Sequence, residues 1–441
     1  MRSKVTLGCG LMLLLVLITW MAEAYGLQTV HPVTQAPVAV RSVLNAEGVR
    51  WLLRHGVSNL YHYSTLGEVL LGLFSLGLAQ HTGFLDAVTG SASLCRMKPR
   101  SMVMLVVVLG ALSHFLGDVG YLLLLPLAAS LFRRVGLPPV AGVVTAFAAI
   151  GCTAVHYALF LSLSGVVLLG VMGWVSCRQL SSWGCHSAVV TPPPLTRRER
   201  RALTSALTAG ALYAGLLLWG CMAWGELFLG VDGTLTHSPL MEGIVPVVCL
   251  GVAWMAGVYG AVSGRYRVDT QLMEGAVSLI PLLRSYFLYL LFFAELQALL
   301  DYSQLGSYLA IQGGAWVGSL TAPQPVMWLL LVLLSALLNL LIVPTEVKWQ
   351  LLAPCLEPLI GCEQMSAEAL YSAFCIGDCS TDILSPFLPY LPWVLAWVQY
   401  VEPQAGYRML WRHSWRYSVA VLVVWSLLFL CWQAMGWPFV L

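Results

Sequence analysis

The side chains of this sequence that could do chemistry are acids set in apolar surroundings. Asp118 lies in Leu116-Gly117-Asp118-Val119-Gly120-Tyr121, inside a long apolar run, and a carboxylate at membrane depth is expensive enough that it is normally kept for function. A shift of 228 positions carries Asp118, Tyr121 and Pro126 onto Glu346, Trp349 and Pro354. An acid, an aromatic three residues on and a proline eight residues on read as a duplicated half. A third stretch, Cys375-Ile376-Gly377-Asp378-Cys379-Ser380-Thr381-Asp382 followed by Ser385-Pro386 and Pro389, gathers two carboxylates and two hydroxyls. Asp378, Thr381 and Asp382 fall at i, i+3 and i+4 and share one face if the segment is helical.

The chemistry such a set supports is uptake of a proton or Na⁺. Asp118, Asp378, Glu346 and Asp382 are the candidate cation-binding or proton-relay groups. Tyr121, Trp349, Thr381 and Ser385 are the candidate contacts for a transported molecule. For Asp378 and Asp382 the competing reading is a hydrated helix end at the membrane surface. Lys348 either pairs with Glu346 or snorkels to the interface, and snorkelling is the better expectation. His114 is four residues before Asp118 and is read as a satisfied buried histidine rather than a relay; His156 is a weaker candidate.

The elements that must position these groups follow from composition. With 59% hydrophobic and 10% charged residues and a mean hydropathy of +0.82, the chain cannot pack as a water-soluble globule. It reads as an all-α polytopic membrane protein, because its apolar stretches lack strand alternation and most are long enough to span. The net charge of +2 and basic residues confined to helix ends give no footprint for nucleic acid. Twelve cysteines scattered through apolar segments read as small buried hydrophobes, so no metal and no cofactor is expected. No H-E-x-x-H and no nucleophile elbow occurs, which disfavours an enzyme.

Charges in the loops set the organisation. Residues 1–24 read as a retained first transmembrane helix rather than a cleaved signal, with Arg2 and Lys4 holding the N-terminus in the cytoplasm. Arg96, Lys98 and Arg100 mark a cytoplasmic turn, and Arg178, Arg197, Arg198, Arg200 and Arg201 mark another. This basic linker, 177–201, stiffened by Pro192-Pro193-Pro194 and closed by a Thr196/Glu199 capping box, separates a first repeat at 25–176 from connecting helices at 202–270. A second repeat at 271–400 and a C-terminal helix at 401–441 follow. The loop around Asp232 should be external, and Arg265 and Arg267 internal. Three passes between the repeats invert the second relative to the first, the arrangement used in alternating access. Gly117 and Gly120 around Asp118, and Pro344 ahead of Glu346, predict broken helices lining a polar cavity. Arg408, Arg412 and Arg416 favour a cytoplasmic loop before the last helix, whereas strict inversion puts that loop outside.

Several motifs in fixed order resemble the p-aminobenzoyl-glutamate transporter family, AbgT. They are Gly117-Asp118-Val119-Gly120-Tyr121 with Pro126-Leu127-Ala128-Ala129, then Pro139-Val140-Ala141-Gly142, then Lys348-Trp349-Gln350-Leu351-Leu352-Ala353-Pro354, then Ile376-Gly377-Asp378 through Ser385-Pro386 to Pro389-Tyr390. The resemblance runs nearly end to end. It implies about nine transmembrane helices plus two re-entrant hairpins in two inverted repeats, a homodimer, and the inner membrane of a bacterium. It implies a secondary transporter, symporter or antiporter, moving p-aminobenzoyl-glutamate-like aromatic amides or exporting antimetabolite drugs such as sulfonamides, and it implies function for Asp118, Trp349 and Asp378. The alternative is a non-transporting structural or sensing subunit.

The departures from the family pattern carry information too. The family's arginine three residues before the Asp of Gly-Asp is Cys375 here, its serines ahead of Lys-Trp are Pro344 and Glu346, and its asparagine after Thr381 is Asp382. The serine- and glycine-rich first hairpin tip is replaced by Gly151-Cys152-Thr153-Ala154-Val155-His156-Tyr157. More carboxylate and less guanidinium favour a neutral or cationic substrate, or a proton in place of Na⁺, because like charges in low dielectric repel unless one is protonated.

Overall fold

A backbone in lipid must pair its own polar groups, so apolar runs of this length fold as helices. The structure, a computed structural model, describes residues 2–90, 94, 97–152, 159–180, 183, 195–223, 228–230, 233, 238–267, 269–320, 322–361 and 366–439. Among the described residues, six helices are long and apolar enough to cross a bilayer: Pro99–Leu116, Phe160–Leu180, Arg197–Met222, Ile244–Ser263, Thr270–Ser303 and Tyr407–Ala434. Shorter apolar helices lie at Gly8–Ala24, Pro139–Gly151, Gln324–Asn339 and Leu391–Val401. The all-α, multi-pass reading therefore holds. The regular strands among the described residues are a short antiparallel hairpin, β1 (Gln28–Val30) against β2 (Pro37–Ala39).

In chain order the helices are α1 (Arg2–Ala24), α2 (Ala46–Tyr61), α3 (Leu66–His81), α4 (Phe84–Thr89), α5 (Pro99–Ser113), α6 (Val119–Arg134), α7 (Pro139–Gly151) and α8 (Leu159–Leu180). After the linker come α9 (Arg197–Ala223), α10 (Pro239–Glu242), α11 (Ile244–Ser263), α12 (Asp269–Ala276), α13 (Ile280–Ser303), α14 (Leu305–Ser319), α15 (Gln324–Asn339), α16 (Thr345–Gly361), α17 (Ala367–Thr381), α18 (Leu391–Val401) and α19 (Tyr407–Ala434).

Both expected helix breaks form, and each has a local cause. Between α5 and α6 the chain makes a single 3₁₀ turn, His114–Leu116, and then reverses at Gly117 with φ +57°, a backbone region that glycine enters without the penalty other residues pay. His114 and Asp118 are therefore not neighbours on one α-helical face, as their spacing suggested. Between α15 and α16 the chain runs through Leu340–Pro344, and Pro344 suits an extended segment ahead of a new helix. In the third stretch α17 continues to Thr381 and gives way to a 3₁₀ turn at Asp382–Leu384. The prolines at 386 and 389 then delay α18 to Leu391, since a proline has no N–H to continue a helix.

α15 and α17 pack side by side with unusually close backbones. A Cβ on Gly377 would lie 2.7 Å from the Ala336 backbone nitrogen, so only glycine allows this approach. Ser335 Oγ donates to the Phe374 carbonyl at 2.7 Å across the same seam.

Several sequence expectations meet their outcome here. The capping box is present: the Glu199 carboxylate accepts from Thr196 N and Oγ1 at 3.0 and 2.9 Å, and Glu199 N donates to Thr196 Oγ1 at 3.2 Å. Arg408, Arg412 and Arg416 are not in a loop; α19 begins at Tyr407 and carries them in its first turns, because their four-residue spacing puts three long cations along one helical face. Gln179 at the end of α8 donates to the His413 carbonyl at 3.1 Å, and Trp183 stacks on the His413 ring at 3.9 Å. The start of α19 thus lies beside the basic linker, on the side the charge rule assigns to the cytoplasm. Arg96, His156 with the hairpin tip at 153–158, Pro192-Pro193-Pro194 and Asp232 lie outside the described residues.

Candidate functional site

Two of the charged groups that the fold buries are Asp378, on the last turn of α17, and Lys348, on the first turn of α16. Asp378 is 1% and Lys348 0% exposed. They form a salt bridge. Lys348 therefore does not snorkel. Its ammonium also donates to Asn339 Oδ1, and Thr345 Oγ1 donates to the other carboxylate oxygen of Asp378 at 2.6 Å. A buried ion pair is tolerated when its remaining donors and acceptors are satisfied in this way.

Asn339, the last residue of α15 and fully buried, ties the break to α17. Its Nδ2 lies 2.6 Å from the Asp378 carbonyl, 3.2 Å from Thr381 Oγ1 and 3.0 Å from Asp382 Oδ1. The amide orientation is dictated by its partners: Lys348 can only donate, so it must face the amide oxygen, leaving the NH₂ group for three acceptors. Thr381 Oγ1 lies 3.1 Å from the Ala336 carbonyl and 3.0 Å from the Gly377 carbonyl. Ser385 Oγ donates to the Leu340 carbonyl at 3.3 Å and accepts from Phe387 N at 3.2 Å, which pins the irregular segment after α17 to the break after Asn339.

The helical reading of Asp378, Thr381 and Asp382 thus brings all three to one amide. Asp382, half-buried, lies within electrostatic reach of Asp378, Lys348 and Asp118. The first half meets the second at this point. Cys152 Sγ points to the Ser380 carbonyl at 3.8 Å, and Gly151 abuts Ile383 and the Tyr121 hydroxyl.

Two of the four candidate acids make no hydrogen bond or salt bridge to this network among the described residues. Glu346 is exposed in the first turn of α16, and Lys348 pairs with Asp378 instead. Asp118 is the exposed residue that opens α6, without a side-chain capping bond, and is within electrostatic reach of Glu68 and of Asp382. Glu68 itself accepts a hydrogen bond from the Tyr390 hydroxyl.

The candidate aromatics are placed against protein rings. Tyr121 stacks on Tyr390 with centroids 5.0 Å apart and planes at 11°, and its carbonyl accepts from Trp393 Nε1 at 2.9 Å. Trp349 packs edge-on to Tyr371 at 5.1 Å and against Phe374 at 5.1 Å. Beside the break, a cavity of about 230 Å³ is lined on one side by Leu341, Ile342, Pro344 and Phe387 and on the other by Gln297, Asp301, Gln304 and Ser307. Gln297 Oε1 is buried without a hydrogen-bond partner among the described residues.

Lys348, Asn339, Thr345 and Glu68 were not singled out as site residues from the sequence. A signal for two of them existed: Asn339 interrupts the run Leu337-Leu338-Asn339-Leu340-Leu341, and Lys348 and Asp378 are opposite charges in neighbouring apolar helices, which pair inside a membrane rather than face lipid.

What this arrangement can do is hold one cation against two carboxylates at a helix break, with a cavity adjoining. The p-aminobenzoyl-glutamate transport protein of Escherichia coli (strain K12) is 26% identical over 468 residues, covering 97% of this chain and 91% of its own. The solved structure of the Alcanivorax borkumensis YdaH transporter shares 29% identity at a TM-score of 0.54, covering 99% of both chains. The structure of Neisseria gonorrhoeae MtrF, described among antimetabolite efflux pumps, matches at a TM-score of 0.53 with 23% identity, covering 99% of this chain and 95% of its own, a likeness of fold. The AbgT putative transporter family matches residues 3–173 and 154–440. The chain is a member of that family of membrane transporters.

Proposed function

We propose that this protein is a proton-coupled secondary transporter of the bacterial inner membrane that moves an aromatic amide of the p-aminobenzoyl-glutamate type, with Asp382 carrying the proton. The observation that supports this most is a charge count. One buried ammonium, Lys348, faces two carboxylates, Asp378 and Asp382, and is committed to Asp378 by a direct salt bridge. The second carboxylate needs a neutralising cation whenever water leaves the site, because an uncompensated charge in low dielectric costs several kcal/mol.

A proton suits Asp382 better than Na⁺. A hard metal cation binds through several oxygens at once, whereas the Asp382 oxygen, the Thr381 hydroxyl and the Asp378 carbonyl all face one NH₂ donor, that of Asn339. That donor occupies the place where such a cation would collect its ligands. The substrate class is carried by the Escherichia coli relative. Taking up a proton also lowers the negative charge that a carboxylate-bearing substrate would meet.

The helix breaks ahead of α6 and of α16, with the long helices α9 and α11 in the stretch between 176 and 271, support two inverted repeats at 25–176 and 271–400. The family resemblance supports a homodimer. Thr345 and Lys348 from α16 grip Asp378 on α17, so a movement of the two helices apart opens the site and lets the second carboxylate exchange its proton.

The test is flux in proteoliposomes under an imposed proton or Na⁺ gradient, with p-aminobenzoyl-glutamate and a sulfonamide as substrates. Uptake driven by the proton gradient and lost in Asp382→Asn supports the assignment. Uptake driven by Na⁺ alone overturns it.

A further inference from the structure

Away from the helix breaks, the largest cavity described lies at the end of the molecule where α1 and α19 begin, with a volume of about 770 Å³. That is in the range of small-molecule sites, roughly 300–1,000 Å³. Its walls are apolar and come from three membrane helices: Leu11 of α1, Phe292 and Phe293 of α13, and Leu395 of α18. Its rim carries two guanidinium groups, Arg408 and Arg412 of α19. Both arginines are exposed, and neither has a carboxylate partner among the described residues.

The surface on either side of the cavity is apolar. The α1 wall is flanked by exposed Leu13, Leu14 and Leu17, and the α19 wall by exposed Trp411 and Trp415. Aromatic side chains of this kind sit at the level of lipid headgroups. The helices start at the same end, beside the basic linker, which places the arginines at the cytoplasmic leaflet.

We infer that this cavity binds an anionic phospholipid of the cytoplasmic leaflet, its phosphate held by Arg408 and Arg412 and the upper part of its acyl chains lying against Leu11, Phe292, Phe293 and Leu395. Paired arginines suit a phosphate because their planar forks offer bidentate hydrogen bonds, and basic pockets between membrane helices on this side select acidic headgroups. The apolar depth behind the rim is what separates a lipid from a soluble anion. A phosphate or a small dicarboxylate would satisfy the arginines and leave the aromatic wall bare.

The experiment is native mass spectrometry of the purified full chain after exchange into vesicles of phosphatidylglycerol or of phosphatidylcholine, followed by detergent release. The expected result is one phosphatidylglycerol retained per chain and no retained phosphatidylcholine. In the doubly substituted Arg408→Gln/Arg412→Gln protein, retention weakens about 30-fold, the value two surface charges of about 1 kcal/mol each give. Arg408→Lys/Arg412→Lys keeps most of the binding, which separates loss of charge from loss of fold, and Leu11→Trp reduces retention by filling the apolar part while leaving the charges. Equal retention of the two lipids, or unchanged retention in the Gln double variant, overturns the inference. So does displacement of the lipid by millimolar glycerol phosphate or p-aminobenzoyl-glutamate, which would make this a site for a soluble anion.

Discussion

Replacing Lys348 with methionine removes the cation from a buried pair and keeps most of the side-chain volume. Asp378, 1% exposed, then retains the Thr345 hydroxyl at 2.6 Å as its remaining side-chain donor, and Asn339 Oδ1 loses its ammonium. Removing one partner of a buried ion pair costs about 3–5 kcal/mol, because the other charge stays buried and uncompensated. The surviving Thr345 bond, of the kind worth about 1.5–3 kcal/mol to a charged acceptor, puts the expectation near the lower end, about 3 kcal/mol. Lys348→Met/Asp378→Leu should recover much of that loss, since replacing both members of a buried pair by apolar groups is often neutral. Chemical unfolding in detergent micelles, followed by tryptophan fluorescence, measures both. The exposed Lys98→Met protein is the control for loss of a lysine elsewhere. If Lys348→Met is no less stable than that control, or if the double variant is as unstable as the two single variants added together, the pair is not the organising contact described here.

Other consequences follow from the same packing. Gly377→Ala puts a methyl group against the backbone of α15, with Ala336 N only 2.7 Å away, and should cost about 1–3 kcal/mol as other overpacked sites do; the same unfolding assay reads it. Trp393→Phe removes the indole donor that reaches the Tyr121 carbonyl at 2.9 Å while the helical bond to that carbonyl stays, an expected loss of about 0.5–1.5 kcal/mol. Tyr390→Phe frees the Glu68 carboxylate while keeping the stack on Tyr121. Its stability should fall by about 1.5–3 kcal/mol, the usual worth of a hydrogen bond to a charged group, and Tyr390→Phe in a Glu68→Gln background should cost less.

Much of the architecture could be read in the residues. Gly117, Gly120 and Pro344 announced the breaks because backbone freedom at glycine and the missing N–H of proline are local properties. The i, i+3, i+4 spacing of Asp378, Thr381 and Asp382 announced their common face for the same reason. What escaped was set by packing between distant segments. Whether Lys348 reaches lipid headgroups or turns inward depends on α17 standing beside it, and α17 stands there because Gly377 lets α15 approach. Glu346 and Asp118 looked equivalent to Asp378 as acids in apolar runs, yet both sit at surface helix starts, whereas Asp378 is enclosed with a cation. The arginines at 408, 412 and 416 read as a loop because charge density suggests water, whereas their spacing already fitted one face of a helix.

The central claim, that Asp382 carries the proton which couples to transport, is tested most directly by following internal pH in proteoliposomes when p-aminobenzoyl-glutamate is added to one side without any imposed gradient. The account predicts a substrate-dependent pH change in the wild-type protein, independent of Na⁺ and absent in Asp382→Asn, while exchange of labelled for unlabelled substrate persists in that variant. A pH change of the same size in Asp382→Asn, or substrate movement that requires Na⁺ and shifts no protons, contradicts it.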